Sequence, residues 1–316
     1  MSLIHLNNVT KTHPGSSSPA IKEVSLSIES AEALGIIGAN GAGKSTLLLV
    51  LMGVLSKDSG TIVVDGSDID ITPKLVRSHF GFVPQTPAFY PTLSVYENLH
   101  FFTSAHGLSG TKQRRDISRV LSFSDLDKWQ TTQAARLSGG LKKRLNLAIG
   151  LINNPNIICM DEPTAGVDPQ TRNFILNAIS HLVQNDHTVI YTSHYMNEIE
   201  SVCNRIAVFD NGDVIATGTL AELHSQHIQE IRICTTSEPN HEQIETFKQL
   251  FPGLSINNNT LTIAAEELTS FDSNVADALI DILTLIKKHK LQVKSINYGQ
   301  HGLKDLYLNV INSHKV

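Results

Sequence analysis

Short apolar, β-branched runs alternate with longer amphipathic stretches over the first two thirds of the chain. Residues 4–9, 34–37, 61–64, 157–160, 189–192 and 206–209 read as buried strands. Residues 44–55 and 173–184 read as helices between them. Alternation of this kind predicts an α/β domain with a largely parallel central sheet. Residues 86–136 break the rhythm: they contain no convincing strand and read as a helical insertion. From about residue 220 the pattern changes again. Residues 231–234, 261–264 and 291–297 suit strands, and 275–288 suit an amphipathic helix, which predicts a small α+β domain. The expected organisation is one domain over residues 1–220 and a second over 221–316.

Composition adds exclusions. With 41% hydrophobic and 17% charged residues, the chain can bury a core in the ordinary way. A formal net charge of -5 argues against a basic nucleic-acid-binding face, so no nucleic-acid partner is expected. Cys159, Cys203 and Cys234 are scattered and odd in number, which predicts a reducing compartment rather than a disulfide framework. The N-terminus does not read as a signal peptide. The longest apolar stretch, residues 47–55, falls far short of the ~20 residues of a membrane span. Any link to a membrane is therefore expected to run through a partner. His224 and His227 share a helical spacing, but no carboxylate or cysteine accompanies them, and a metal site is not expected there.

The chemistry begins at Gly38-Ala39-Asn40-Gly41-Ala42-Gly43-Lys44-Ser45, a G-x-x-x-x-G-K-[ST] sequence between a predicted strand and a predicted helix. Glycines let successive backbone N–H groups turn inward as an anion nest. The helix N-terminus adds partial positive charge. Lys44 supplies a full charge for the β- and γ-phosphates, and the Ser45 hydroxyl can ligate Mg²⁺.

A second site element is the strand 157–160 running into Asp161 and Glu162. Two carboxylates at the carboxyl end of a buried strand suit a switch-point site in an α/β fold. Successive strand side chains diverge, so the two acids are expected to do different work. Asp161 would face the metal, and Glu162 would polarise a water in line with the γ-phosphate.

Leu137-Ser138-Gly139-Gly140-Leu141 then precedes a basic amphipathic helix. Together with Pro84-Gln85, Asp161-Glu162-Pro163-Thr164, Ala165-Gly166-Val167-Asp168-Pro169 and Ser193-His194, it gives the chain a motif order that resembles the ABC transporter ATPases from residue 3 to about 220. The chain looks most like the ABC-2 type exporter group. Gly302-Leu303-Lys304-Asp305-Leu306-Tyr307-Leu308 resembles the short helix that closes the accessory domain in many of them.

The resemblance implies a phosphate-loop NTPase core with a RecA-like sheet, an antiparallel β part and a helical subdomain, followed by the small α+β domain. It implies ATP and Mg²⁺ as ligands. ATP would lie against His13, Gly38, Asn40, Gly41, Ala42, Gly43, Lys44, Ser45 and Thr46. Mg²⁺ would be held by Ser45, Gln85 and Asp161. Glu162, His194 and Gln85 would be the catalytic residues. Ser138, Gly139 and Gly140 would cap the γ-phosphate bound to a second copy, with Asp168 at the seam, so that two copies close head to tail around two ATP. An ABC-2 type transmembrane permease would hold the pair on the cytoplasmic face of the membrane.

Two positions depart from the family pattern. His13 stands where an aromatic ring usually lies under the adenine, and imidazole offers less stacking area. Leu141 replaces a glutamine and removes a side-chain donor from the signature. Lys142, Lys143 and Arg144 are expected to form a solvated helix face. The competing reading is a soluble ABC ATPase acting on a ribosome or DNA. A ribosomal type would carry two phosphate loops where this chain has one. A DNA-repair type would need a long coiled coil between Lys44 and Ser138, and the 94 positions separating them leave no room for it.

Overall fold

The computed structural model describes residues 2–225, 230–251, 253–264 and 275–298, together with Leu303 and Tyr307. His227 and most of the expected closing helix at 302–308 lie outside the described residues. Two compact units divide in sequence between Leu220 and Ala221.

The first unit is built on a six-stranded sheet. Its strands are β3 (Ala33–Gly38), β6 (Phe80–Val83), β7 (Ile157–Asp161), β8 (Thr188–Ser193), β9 (Arg205–Asp210) and β10 (Asp213–Thr219), in the order β10-β9-β3-β8-β7-β6. All neighbours are parallel except β10, which pairs antiparallel with β9. Every residue of β3, β7 and β8 is buried. That is the pattern of strands covered on both faces, and it explains their near-continuous apolar sequences. Register sets the site: Val83 lies opposite Met160, Asp161 opposite Thr192, and Ile37 opposite Ser193. The four strands β6, β7, β8 and β3 therefore deliver the segments that follow them to one edge of the sheet.

A second, antiparallel sheet has the order β2-β1-β4-β5, from β1 (Ser2–Lys11), β2 (Ile21–Glu29), β4 (Ser59–Val64) and β5 (Ser67–Asp68). In β2, Val24, Leu26 and Ile28 are buried while Lys22, Glu23 and Ser25 face solvent. This is the alternation of a half-buried strand. The helices are α1 (Lys44–Leu51), α2 (Pro73–Ser78), α3 (Val95–Ala105), α4 (Gly110–Phe123), α5 (Gly139–Gly150), α6 (Pro169–Gln184) and α7 (Met196–Val202), with α8 (Leu220–Ser225) at the sequence boundary. Residues 86–136 hold helices and no named strand, as expected.

Several boundaries differ from the sequence reading. The helix expected over 44–55 stops at Leu51, because Gly53 adopts the left-handed conformation and the amides of Val54 and Leu55 turn back to Leu49 O. The helix expected from 173 begins at Pro169, where Asp168 caps it and proline fits the first position. Strands β2, β5, β6 and β10 were not expected. β5 and β6 are only two and four residues long, and the apolar run of β10 is only Val214, Ile215 and Ala216.

The second unit contains β11 (Glu230–Thr235), α9 (His241–Leu250), β12 (Ser255–Asn257), β13 (Thr260–Ala264), α10 (Val275–Lys288) and β14 (Val293–Tyr298). Its antiparallel sheet runs β12-β13-β11-β14. A β-α-β-β-α-β chain with this order is the ferredoxin-like split arrangement. Ile231, Ile233, Leu261 and Ile263 from the strands pack with Phe247, Ile282 and Ile286 from the helices.

Candidate functional site

The loop between β3 and α1 is shaped by backbone that only glycine accepts. Gly43 has φ 108°, and a Cβ there would stand 2.1 Å from the carbonyl oxygen of Ala20. Gly43 is also the cap residue of α1 and has no side chain to offer, so no side chain caps that helix. Its first-turn N–H groups remain available for an anion, and the helix dipole favours one. The Lys44 ammonium is 5% exposed and donates to Gly38 O at 2.9 Å and Ala39 O at 3.0 Å. It stands 3.8 Å from Glu162 Oε1. Burial pulls its pKa below the ordinary lysine value, while the charges of Glu162 and Asp161 oppose that shift.

The two acids part company at the end of β7. Asp161 is the last strand residue, and its Oδ1 accepts from Thr192 Oγ1 at 2.8 Å. Glu162 turns into the left-handed region with φ 42°, so its divergence from Asp161 comes from this turn and not from strand pleat alone. The Glu162 amide donates to Thr192 O at 3.2 Å and meets Thr192 Oγ1 at 3.0 Å. One buried threonine, unmarked in the sequence reading, therefore holds both acids. Register explains it, since Thr192 lies beside Asp161 across the β7–β8 pair. Glu162 Oε2 accepts from Gln85 Nε2 at 3.2 Å and lies 3.2 Å from His194 Nδ1.

Lys44, Gln85, Glu162 and His194 line an open cleft of about 690 Å³, which Asp161, buried at the end of β7, does not border. His13, Asn40, Gly41, Gly43, Lys44, Ser45, Thr46, Gln85, Glu162 and His194 all border it, as do Gly166, to which the sequence reading gave no site role, and Tyr195, which it passed over. His13 Nε2 lies 3.0 Å from Thr46 Oγ1. Gly38 and Ala42 are buried and do not border the cleft. A nest with a buried ammonium at one end suits a polyphosphate. Ser45 and Gln85 border the cleft and Asp161 ends β7 just before Glu162, and their hydroxyl, amide and carboxylate are oxygen donors of the kind that suits Mg²⁺.

Ser138, Gly139, Gly140 and Asp168 do not border this cleft. Ser138 caps α5, its Oγ accepting from Leu141 N at 3.3 Å. Asp168 caps α6, accepting from Thr171 N at 2.9 Å and Thr171 Oγ1 at 2.7 Å, and these bonds hold its carboxyl below the usual range. A Cβ on Gly140 would stand 2.2 Å from Thr171 Oγ1 and 3.4 Å from Asp168 Oδ2. The second nest and Asp168 thus form a separate group.

Two members of the basic run after the second nest, Lys143 and Arg144, are tied down rather than free in solvent. The Lys143 ammonium donates to Gln85 O at 2.5 Å. Burial lowers its pKa, and Asp161 and Glu162 oppose that shift. Arg144 pairs with Asp125 at 2.6 Å and lies 4.0 Å from the ring centre of Phe174. One turn on, buried Asn146 accepts from Ala88 N and donates to Thr86 O, both at 3.0 Å. Charge pattern alone does not reveal these bonds, because a lysine's reach depends on where the 84–88 segment passes.

A family model described as ABC transporter matches residues 21–165. The linearmycin resistance ATP-binding protein LnrL of Bacillus subtilis (strain 168) is 34% identical over 291 residues, covering 92% of this chain and 93% of that protein. The chain belongs to the ATP-binding subunits of ABC transporters. Nod factor export ATP-binding protein I of Cupriavidus metallidurans is also similar, 33% identical over 80% of this chain and 82% of its own length. A solved dimeric cassette in a post-hydrolysis state with ADP and Pi superposes with a TM-score of 0.62 at 28% identity, over 68% of this chain and 98% of that one. The CbiO1 structure from Clostridium perfringens, part of an ABC transporter complex, gives 0.64 at 25% identity over 79% and 96%. The ABC subunit is thus an ATPase of a transporter, and proteins of its kind dimerise and pair with transmembrane subunits. Among its described residues no helix is long and apolar enough to cross a membrane.

Proposed function

We propose that this subunit hydrolyses MgATP in the cleft around Lys44 and drives export through an ABC-2 type permease. The observation that carries the reading is the convergence on Glu162, whose carboxylate meets Lys44, Gln85 and His194 within 3.8, 3.2 and 3.2 Å. The phosphates lie on the Gly38–Thr46 loop, with Lys44 neutralising the β- and γ-oxygens. Ser45, Asp161 and Gln85 would hold Mg²⁺, which would neutralise phosphate charge when bound. Glu162 orients the attacking water and accepts its proton, and His194 donates a hydrogen bond to the γ-phosphate. His13 borders the adenine side. Two copies close head to tail, each lending Ser138, Gly139 and Gly140 to the other's γ-phosphate and placing Asp168 at the seam. The permease keeps the pair on the cytoplasmic face of the membrane. The domain boundary near residue 220 separates this machine from an accessory ferredoxin-like unit.

The permease contact is assigned to the segment leaving Gln85. Buried Asn98 staples this segment by accepting from Tyr90 N at 2.8 Å and donating to Tyr90 O at 3.0 Å. Tyr90 itself remains 47% exposed and packs edge-on to Phe101, which is 43% exposed. Glu97 is a poorer probe, because its carboxylate accepts from Ser94 N at 2.7 Å in the box that caps α3. In lipid with the reconstituted permease, Tyr90→Ala should cut partner-stimulated ATPase by about tenfold, the size of a good interface aromatic. The rate of the isolated subunit should stay unchanged. A lone subunit that already turns over at the full rate, unaffected by any permease, would return the soluble-ATPase reading.

A further inference from the structure

Behind the cleft, the sequence places a glutamate on the short helix α7, four residues beyond His194. Glu198 is buried at 4% exposure. A buried carboxylate is costly unless its oxygens are satisfied. Here one oxygen, Oε2, accepts three hydroxyls: Thr164 Oγ1 at 2.7 Å, Ser193 Oγ at 3.1 Å, and the buried phenol of Tyr191. The other, Oε1, faces Arg172 Nε at 3.1 Å, an ion pair whose angle falls short of a hydrogen bond. Thr164 and Tyr191 also meet each other at 3.1 Å. Burial, and then Glu198 itself, push the Tyr191 hydroxyl well above its ordinary pKa, so it stays a donor.

Each of these partners belongs to a different working segment. Thr164 follows Glu162 by two residues. Ser193 immediately precedes His194 and also accepts from Tyr195 N at 2.9 Å. Arg172 lies in the first turn of α6, the helix that Asp168 caps, and its guanidinium stands 5.0 Å from the ring centre of Tyr195. We infer that Glu198 is a positioning residue for hydrolysis: its carboxylate clamps the Glu162, His194 and Asp168 segments to one another. The inference rests on the assignment of Glu162 and His194 proposed above. A clamp of this kind ties the hydrolytic groups of one site to the Asp168 helix at the proposed seam, so the two sites of a dimer can influence each other without touching nucleotide directly.

Glu198→Gln tests this, since it keeps the volume and replaces one acceptor oxygen with an NH₂ that cannot accept from whichever it faces, the three hydroxyls or Arg172, and removes the negative charge. The expected result is a fall in kcat of about 30-fold or more with KM for ATP within about threefold, because the affected groups act after binding. Its signature is non-additivity. On a His194→Ala background, Glu198→Gln should cost less than about threefold further, whereas independent structural damage would multiply in full. If Glu198→Gln does not fold, Tyr191→Phe and Thr164→Val each remove one hydroxyl from the carboxylate and should show the same split on a smaller scale. An unchanged kcat, or full multiplication with His194→Ala, overturns the clamp. Glu162→Gln run alongside separates the two failures: if it is inactive while Glu198→Gln is normal, only the clamp is lost. If Glu162→Gln hydrolyses at the wild-type rate, the site assignment fails and takes the clamp with it.

Discussion

The Lys44 cleft and the Ser138 nest are both helix N-termini built on glycine, yet their surroundings are opposite. Around Lys44, a buried ammonium, two carboxylates, an amide and an imidazole lie within a few ångströms of one another, drawn from the ends of β3, β6, β7 and β8. Around Ser138 no such convergence of acid, amide and imidazole is found among the described residues, and the one carboxylate beside the nest is that of Asp168. The Ser138 hydroxyl is spent on capping α5, and the neighbouring Thr171 and Asp168 are spent on capping α6. On the proposed reading the first region binds and cleaves a polyphosphate, and the second offers donors to one already bound, so that two copies complete each other's sites. The strap from Lys143 and Asn146 to residues 85–88 adds that the two halves are mechanically linked inside one chain, since α5 begins at the nest and is bonded to the segment carrying Gln85.

The largest break in this contrast comes from Lys44→Ala. Among the described residues Lys44 is the one lysine or arginine that borders the cleft, and its loss removes a cation that faces Glu162 and Asp161. Losing one preorganised charge at a phosphoryl site costs about 10²–10³ in kcat, and weaker ATP binding adds to this in kcat/KM. Steady-state ATPase assay and fluorescent-nucleotide titration would both register it. Hydrolysis at the wild-type rate would mean that the cleft is not the charged half.

Glu162→Gln should sharpen the contrast rather than abolish it. The amide keeps the shape but cannot accept a proton from water, so kcat should drop by about 10²–10⁴, the range for a lost general base. Binding should survive, and with it the pairing of each cleft with the other copy's nest. Size-exclusion chromatography of this variant should show a dimer with MgATP and a monomer without it. A monomer under both conditions would mean that the Ser138 nest does not meet nucleotide across a seam.

Much of this was legible in the sequence because the signals are local. The Gly38–Ser45 loop announces its own backbone, and the apolar run 157–160 announces a buried strand that ends in acids. Other parts depend on register or on passing segments, which spacing does not encode. Thr192 is an ordinary strand residue until β7 and β8 pair and set it beside Asp161. Lys143 reads as a surface cation until Gln85 O is placed beneath it. Glu162 was expected to diverge by strand pleat, and the left-handed turn that contributes instead is rare for glutamate and gives no composition cue. Short strands were missed for a related reason: β6 holds four residues, too few for a period, and is stabilised by β7 beside it. The ferredoxin-like order of the second unit likewise follows from which strands pair and not from which segments are strands.

The smallest expected effect lies at the rim of the cleft, away from the phosphates. His13 is exposed and its ring meets Thr46 Oγ1 at 3.0 Å, so the imidazole is already steered toward the loop by a polar contact. In an exposed position that bond is worth little, because water replaces it readily. A phenol ring in the same place offers a larger face for a purine, and aromatic contact adds roughly 0.5–1.5 kcal/mol. His13→Tyr should therefore tighten ATP binding by about two- to tenfold while leaving kcat unchanged, since no group that touches the γ-phosphate moves. The gain should extend to ADP, because both share the base, and should vanish for inorganic triphosphate, which has none. Isothermal titration with the three ligands makes the distinction. Equal affinities of both proteins for ATP would place the base elsewhere in the cleft, and equal gains for triphosphate would mean that His13 acts on the phosphate loop through Thr46.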